Sequence, residues 1–404
     1  MTMTNKRFIL LVVDGLGVGE MPDVKTTRQE DIGAHTLKNV IKANPAIRLP
    51  NLCSLKIPDY FIKGCFQPCV YHGWQRSLGK CSLAHFGADS YMGHQEIAGS
   101  KPKKPLQQFI TDKKDDIIAV LQRNNTSARY NHGVIFADTM IVIADNIESD
   151  YGFNMTVVGS LNHTTFNKIL FVGKLVRQVV DVGRVITMGG VGICMSKILK
   201  CLEHKHIDGK KINGINIPKL RIYNEQYRVV HLGCGISVHA QAPHIVASHG
   251  FPVVLIGKAA DVISAENAWH IPAVHTKDVI TLLLNSMNNV DCGLLFANVQ
   301  ETDLAGHNQH VGQYSYHLEL VDNAIIKILD RMNKNDVFLI TGDHGNDPTI
   351  GHSFHTREQT PLIFFSKKTE SQNFGTRNTL ADIGASICNF FSLRPPEYGS
   401  YFIS

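Results

Sequence analysis

Short, continuous apolar runs recur along the 404-residue chain, each closed by Gly, Asp or Asn. They are FILLVVD (8–14), FPVVLIG (251–257), CGLLFANV (292–299) and DVFLITGD (336–343). Runs of this length without in–out alternation read as strands buried on both faces of a parallel sheet. Helical periodicity alternates with them. YSYHLELVDNAIIKILDRMNK (314–334) places Leu318, Val321, Ile325 and Ile328 on one face, and TLADIGASICNFF (379–391) behaves similarly. The alternation predicts an α/β domain with a mostly parallel central sheet flanked by helices.

The middle of the chain has its own pattern. KDDIIAVLQR and FNKILFVGKLVRQVV read as helices, GVIFADTMIVIADN and VGRVITMGG as strands, and the polar 208–228 as a hairpin or linker. A smaller α/β domain inserted into the first follows: residues 1–99 and 229–404 form the core, and 100–228 the insertion. There is no internal repeat and no low-complexity tract.

Composition narrows the class. Hydrophobic residues make up 44% and charged residues 19%, as in a globular protein. No apolar run approaches the roughly 18–20 residues of a membrane span, so no membrane partner is expected. The N-terminal apolar run ends in Asp14 and glycines, which reads as a strand and not a signal peptide. The net charge of +5 is scattered except for KPKKP (101–105). A nucleic-acid groove needs a basic stripe interleaved with aromatics, and the sequence has none. Nine cysteines without a CxxC pair suit a reducing cytoplasm. Twenty histidines are unusual, and several follow strands.

Four stretches put carboxylate, imidazole or hydroxyl groups near strand ends, the edge where open α/β sheets bind ligands. LLVVDGLGVGEMPD carries Asp14. Its glycines could suggest a dinucleotide loop, but Glu20, Met21 and Pro22 follow where a helix should open. FGADSYMGHQEIAG sets Ser90 in a Gly-flanked loop before a helix from about His94, where positive potential favours a phosphate-accepting hydroxyl. FANVQETDLAGHNQH holds Asp303 and His307 four apart, with Gly306 expected to allow a tight turn. GDHGNDPTIGHSFHTRE holds Asp343, His344 and His355. Carboxylate and imidazole without thiolate suit Mn²⁺, Mg²⁺ or Zn²⁺. The set is too large for one ion and fits two, a phosphoryl-transfer device.

These segments resemble phosphopentomutases of the alkaline phosphatase superfamily. LITGDHGNDPTIGHSFHTREQTPLIFF is similar to the family's C-terminal signature, GKCSLAHFGADSYMGHQEIAG to its nucleophile segment and VVDGLGVGEMPD to its first strand; GHNQHVGQYSYHLELVD and VVLIGKAADVI match as well. The resemblance implies an alkaline-phosphatase-like core with an inserted cap. It implies two divalent metals, manganese first. Asp303, His307 and His355 would hold one, and Asp14, Asp343 and His344 the other. Ser90 takes the place of the family's phosphorylated threonine.

The implied reaction is a phosphomutase step on ribose or deoxyribose 1- or 5-phosphate through a phosphoserine, with a sugar bisphosphate as activator. Asp145 and Lys258 are the expected substrate contacts, and Asn346, Thr356 and Arg357 the groups expected to orient the histidines. The chain departs from the family at three points. Serine replaces threonine, the Asp303–His307 spacing is one residue shorter, and Met188 stands where an arginine would grip a sugar phosphate. A metal-dependent phosphatase, or a phosphoglycerate-mutase-like enzyme on another phosphoester, is the alternative.

Overall fold

The computed structural model describes residues 5–54, 60–61, 74–101, 103–147, 151–207, 209–222 and 226–403. Pro102 of the KPKKP cluster, and 208 and 223–225 of the expected hairpin or linker, lie outside them. The chain divides into two compact units, Met1–Pro102 with Ser237–Ser404, and Lys103–Ile236. The expected boundaries lay at 99/100 and 228/229. The difference at the second arises because the strand Arg228–Gly233 pairs antiparallel with Arg184–Gly190, and so belongs to the inserted unit.

In chain order the strands are β1 (Arg7–Val13), β2 (Gln75–Cys81), β3 (Ala128–Asn131), β4 (Val134–Ala137), β5 (Ile141–Asp145), β6 (Asn154–Ser160), β7 (Arg184–Gly190) and β8 (Leu202–Ile207). They continue as β9 (Lys210–Ile215), β10 (Arg228–Gly233), β11 (Val253–Gly257), β12 (Trp269–Ile271), β13 (Gly293–Val299), β14 (Val337–Thr341), β15 (Thr360–Ser366) and β16 (Asn373–Arg377).

The first unit is built on one sheet of order β12-β11-β13-β1-β14-β15-β2-β16. Its centre is parallel: β1 pairs in parallel with β13 and β14, and β13 with β11. β15 runs antiparallel to β14 and β2. Alternation along β1 explains why its run is apolar throughout. Ile9, Leu11 and Val13 enter one hydrophobic cluster, while Phe8, Leu10 and Val12 enter another. Each such side chain contributes roughly 1.5–3 kcal/mol on burial. The helix Val311–Arg331 covers the first cluster through Leu318, Val321, Ile325 and Ile328, as its periodicity predicts. Ala381–Phe390 packs into the second through Ile383 and Ile387.

The second unit has a sheet of order β10-β7-β6-β5-β4-β3, with the β8–β9 hairpin joined to β5. The helices Ile110–Arg123 and Phe166–Arg177 bury Ile117, Leu121, Ile169 and Val172 against one face. Met188 sits in the apolar cluster on the other, with Val142, Val158 and Ile186. Among the described residues no helix is long and apolar enough to cross a membrane.

Candidate active site

The sheet order places the chemistry. β11, β13, β1 and β14 are consecutive parallel strands, so their C-terminal ends share one edge. Lys258 follows β11, Asp303 and His307 follow β13, Asp14 follows β1, and Asp343 and His344 follow β14. The parallel register aligns Val12 with both Asn298 and Thr341, which brings these ends level.

Asp303 and His307 do not flank a turn. Both lie on the helix Glu301–His307, where a spacing of four puts them on one face. Gly306 serves a different purpose from the one expected: a Cβ there would lie 2.4 Å from Cγ of Asn346. His307 Nε2 is 3.4 Å from Asp303 Oδ2, and His355 Nε2 is 3.3 Å from Asp303 Oδ1. His344 Nε2 lies 3.2 Å from Asp343 and 3.5 Å from Asp14. The sequence therefore brings its six expected ligands together. The His344 and His355 rings stack with centroids 3.9 Å apart, so the loop between them returns directly to the site.

The donor set fits divalent cations. Nδ1 of His307 donates to the Ser353 carbonyl at 2.7 Å, Nδ1 of His355 to Ala88 at 2.7 Å, and Nδ1 of His344 to Gly345 at 2.9 Å. In the neutral imidazoles all three Nε2 atoms therefore present lone pairs. Two of them, from His307 and His355, face each other at 3.0 Å. The third, on fully buried His344, has no hydrogen-bond partner. Converging lone pairs beside three buried carboxylates demand positive charge between them. Among the described residues, the groupings with ligand atoms in mutual reach are Asp303–His344–His355 and Asp14–His94–Asp343.

The protonation energetics show the same field. Burial opposes ionisation of Asp303, but the charge of His355 and of Lys258 holds it well below the usual carboxylate range. Burial likewise opposes ionisation of Asp343, and His344 overrides it. His344 in turn is pushed well above the ordinary histidine value by the Asp343 and Asp14 carboxylates, against burial. The hydrogen bond to Asp303 raises His307. Lys258 donates to Asp14 Oδ2 at 2.8 Å and lies 3.9 Å from Asp303. Burial disfavours its ammonium, but the charges of Asp14 and Asp303 outweigh this and raise it above the normal lysine value.

Ser90 opens a helix, Ser90–Ile97, that starts earlier than the sequence suggests. Asp89, not Ser90, caps it, accepting from the Met92 N–H at 2.8 Å. The Ser90 hydroxyl is thereby left for other work. It donates to Asp343 Oδ2 at 2.6 Å and lies 3.4 Å from Asp14 Oδ1.

Two residues the sequence reading missed complete this arrangement. His94 Nδ1 is 2.8 Å from the Ser90 carbonyl and 3.2 Å from Asp343 Oδ2. Its Nε2 donates to Asn298 Oδ1 at 2.8 Å, and Asn298 Nδ2 donates to Asp14 Oδ2 at 2.9 Å. Ser90, Asp343, His94, Asn298 and Asp14 thus close a hydrogen-bonded ring. Both His94 nitrogens face acceptors, so both carry protons and neither is free to bind a metal. Burial opposes that imidazolium, but the hydrogen bond to Asp343 and its charge raise His94 above the ordinary value. The signals were a histidine four residues after Ser90, on the same helical face, and a lone polar residue inside the apolar run GLLFANV.

Other expectations are corrected by position. Asp145 is 1% exposed inside the second unit. Its carboxylate accepts from the backbone N–H of Ile110 at 2.8 Å and of Asn213 at 3.3 Å, so it caps a helix and pins a hairpin. Asn346, Thr356 and Arg357 bond no imidazole. Asn346 Nδ2 holds Asp303 Oδ1 at 2.7 Å, and Thr356 Oγ1 donates to buried Glu358 at 2.7 Å. Arg357 binds Asp23 and the carbonyls of Leu83, His85 and Gly87, fixing the loop that leads to Ser90.

The Metalloenzyme superfamily profile matches residues 6–395. The phosphopentomutase of Clostridioides difficile (strain 630) is 27% identical over 419 residues, covering 98% of each chain. That of Alkaliphilus oremlandii (strain OhILAs) is 27% identical over 405 residues, again covering 98% of each. Among solved structures, a Leishmania mexicana phosphoglycerate mutase crystallised at low cobalt concentration aligns over 100% of this chain and 99% of its own, with TM-score 0.50 and 10% identity. That likeness shows the fold, the alkaline-phosphatase-like α/β arrangement expected from the sequence. With a profile match from Lys6 to Pro395, the chain belongs to the metalloenzyme superfamily, as a diverged relative of the phosphopentomutases.

Proposed function

We propose that the protein is a phosphopentomutase-like phosphomutase that moves phosphate between positions of a ribose or deoxyribose phosphate through phosphorylated Ser90. One observation carries this reading: the Ser90 hydroxyl lies against the Asp14 and Asp343 carboxylates at a helix N-terminus, beside a set of imidazoles whose Nε2 lone pairs converge. Asp303, His307 and His355 would hold one divalent cation, and Asp14, Asp343 and His344 the other, with Mn²⁺ the first choice. When bound, the ions would lower the pKa of the hydroxyl and neutralise phosphoryl charge.

The chain's own residues supply the rest. Asp343 orients the Ser90 hydroxyl through its 2.6 Å hydrogen bond. On loading from a sugar bisphosphate, the Ser90 Oγ–P bond forms and the P–O(sugar) bond breaks; the serine proton ends on the sugar oxygen. On return, a hydroxyl of the sugar monophosphate attacks phosphorus and its proton passes to Ser90 as the Oγ–P bond breaks. The helix N-terminus favours the negative charge of the phosphoserine. Lys258, a fifth exposed, is the cation placed to meet a substrate phosphate.

Met188, buried among apolar side chains, does not replace the arginine that would grip a pentose phosphate. This favours keeping a second reading, hydrolysis or mutation of a different phosphoester. The test is a panel of sugar 1- and 5-phosphates with Mn²⁺, run beside Ser90→Ala. A mutase yields the isomeric phosphate without free phosphate. Release of phosphate from every substrate, with no isomer formed, supports the phosphatase. Undiminished activity in Ser90→Ala rules out the phosphoserine.

A further inference from the structure

The ring around Ser90 contains two members outside the six expected metal ligands, His94 and Asn298. We propose that His94 and Asn298 are positioning residues for phosphoryl transfer, fixing which oxygen of Asp14 and of Asp343 faces the Ser90 hydroxyl. The proposal rests on the reading of Ser90 as the phosphoryl acceptor.

The two carboxylates are tied in complementary ways. Asp343 Oδ1 is 3.2 Å from the backbone N–H groups of Gly15 and of His344, which leaves Oδ2 for Ser90 and His94. Asp14 Oδ2 accepts from Asn298 and Lys258, which leaves Oδ1 towards Ser90 and His344. Each carboxylate so keeps one oxygen anchored and one aimed. Asn298 meets the anchored oxygen of Asp14 and His94 the aimed oxygen of Asp343, so the pair links the two carboxylates into a single unit, and both side chains are fully buried.

The chemistry of the link is specific. Asn298 must accept from His94 and donate to Asp14, and an amide does both. An aspartate could only accept, and a leucine could do neither. His94 sets one ring nitrogen beside Asp343 Oδ2 and the other against Asn298 Oδ1. Its ring lies parallel to Phe296, with an interplanar angle of 7° and centroids 6.4 Å apart, which limits tilting. Gly93 admits the helix against the end of β14, since a Cβ there would meet the Asp343 carbonyl oxygen at 2.5 Å. The nucleophile, its neighbouring carboxylates and their spacer are thus one packed assembly. Misplacing reacting groups by about 1 Å costs about 100-fold in rate.

The experiment uses the Mn²⁺-loaded full chain and its His94→Gln, Asn298→Leu and Ser90→Ala variants. Bound manganese, melting temperature and KM for ribose 5-phosphate are measured beside single-turnover loading of the protein from radiolabelled ribose 1,5-bisphosphate. The expected result is loading slowed about 100-fold in His94→Gln and Asn298→Leu, with manganese content and KM within about threefold of the parent. Loading within about threefold of the parent in both variants overturns the proposal. So does a loss that merely follows lost manganese or lost folded protein, because a structural role alone produces that. Should Asn298→Leu not fold, Asn298→Ser keeps a polar side chain that is too short to span from His94 to Asp14. Label retained in Ser90→Ala refutes the acceptor reading itself; label lost there, with normal loading in the other variants, refutes only the positioning role.

Discussion

Gly93→Ala is the smallest change that separates stability from chemistry in this site. The new Cβ would stand 2.5 Å from the Asp343 carbonyl oxygen, 3.0 Å from its Cβ and 3.1 Å from its carbonyl carbon. Backbone at a buried strand end cannot rotate away as a flexible side chain could. To open the first contact to about 3.2 Å, the helix must retreat by about 0.7 Å. That helix carries Ser90, whose hydroxyl is 2.6 Å from Asp343 Oδ2. The same retreat lengthens this contact to about 3.3 Å, past a good O–H···O bond. Overpacking costs about 1–3 kcal/mol, and replacing glycine within a helix returns about 0.5–1 kcal/mol. Stability should therefore fall by no more than about 2.5 kcal/mol, while phosphoryl transfer falls about 100-fold. Urea unfolding and single-turnover kinetics on the same Mn²⁺-loaded sample measure both. A rate within about threefold of the parent, or a loss explained by unfolded protein, refutes the reasoning.

Three further outcomes are expected. Mn²⁺ at about 100 times its Kd should stabilise the chelator-treated protein by about 2.7 kcal/mol, seen as a rise in melting temperature that EDTA reverses and Asp303→Asn abolishes. Asp145 is raised from 3.8 to about 6 by burial, against its backbone hydrogen bonds. Its folded form binds the proton more tightly than the unfolded form, so its contribution to stability is greatest below about pH 4, declines as pH rises to about 6 and is flat above, a loss of roughly 3 kcal/mol. Urea titrations between these pH values should show a slope that is shallower in Asp145→Asn than in the parent by that amount. Arg357→Ala should cost about 1–3 kcal/mol by leaving three loop carbonyls and half-exposed Asp23 without their donor, with Arg357→Lys recovering little because one ammonium cannot reach four partners; thermal melts of the three proteins decide it.

The expected ligands nearest the strand ends were legible because a strand buried on both faces is an unbroken apolar run, and the residue after it must stand at the sheet edge. That rule places Asp14, Asp343 and His344 at the edge, and the family resemblance assigns them to a metal. Asp303 and His307 were legible as a pair but not as a helix, since a spacing of four suits a helical turn and a glycine turn equally. Only the proximity of Asn346 shows why residue 306 is glycine. Asp89 and Ser90 are both good helix caps, and the choice between them is made by what Asp343 and Asp14 offer the serine. His94 and Asn298 were missed because sheet order, not sequence, brings residues 204 positions apart into contact. Asp145 was misread for the same reason. The local string IAD says nothing of Ile110 and Asn213, whose backbone it holds.

The central claim is that Ser90 carries the phosphoryl group. Its most direct test is peptide mass spectrometry of the Mn²⁺-loaded protein, quenched in acid after exposure to a sugar bisphosphate. One phosphoryl group on Ser90, absent in Ser90→Ala, is the expected result. An enzyme that interconverts sugar phosphates while Ser90 stays unmodified, with the group on another residue or on none, would contradict the account.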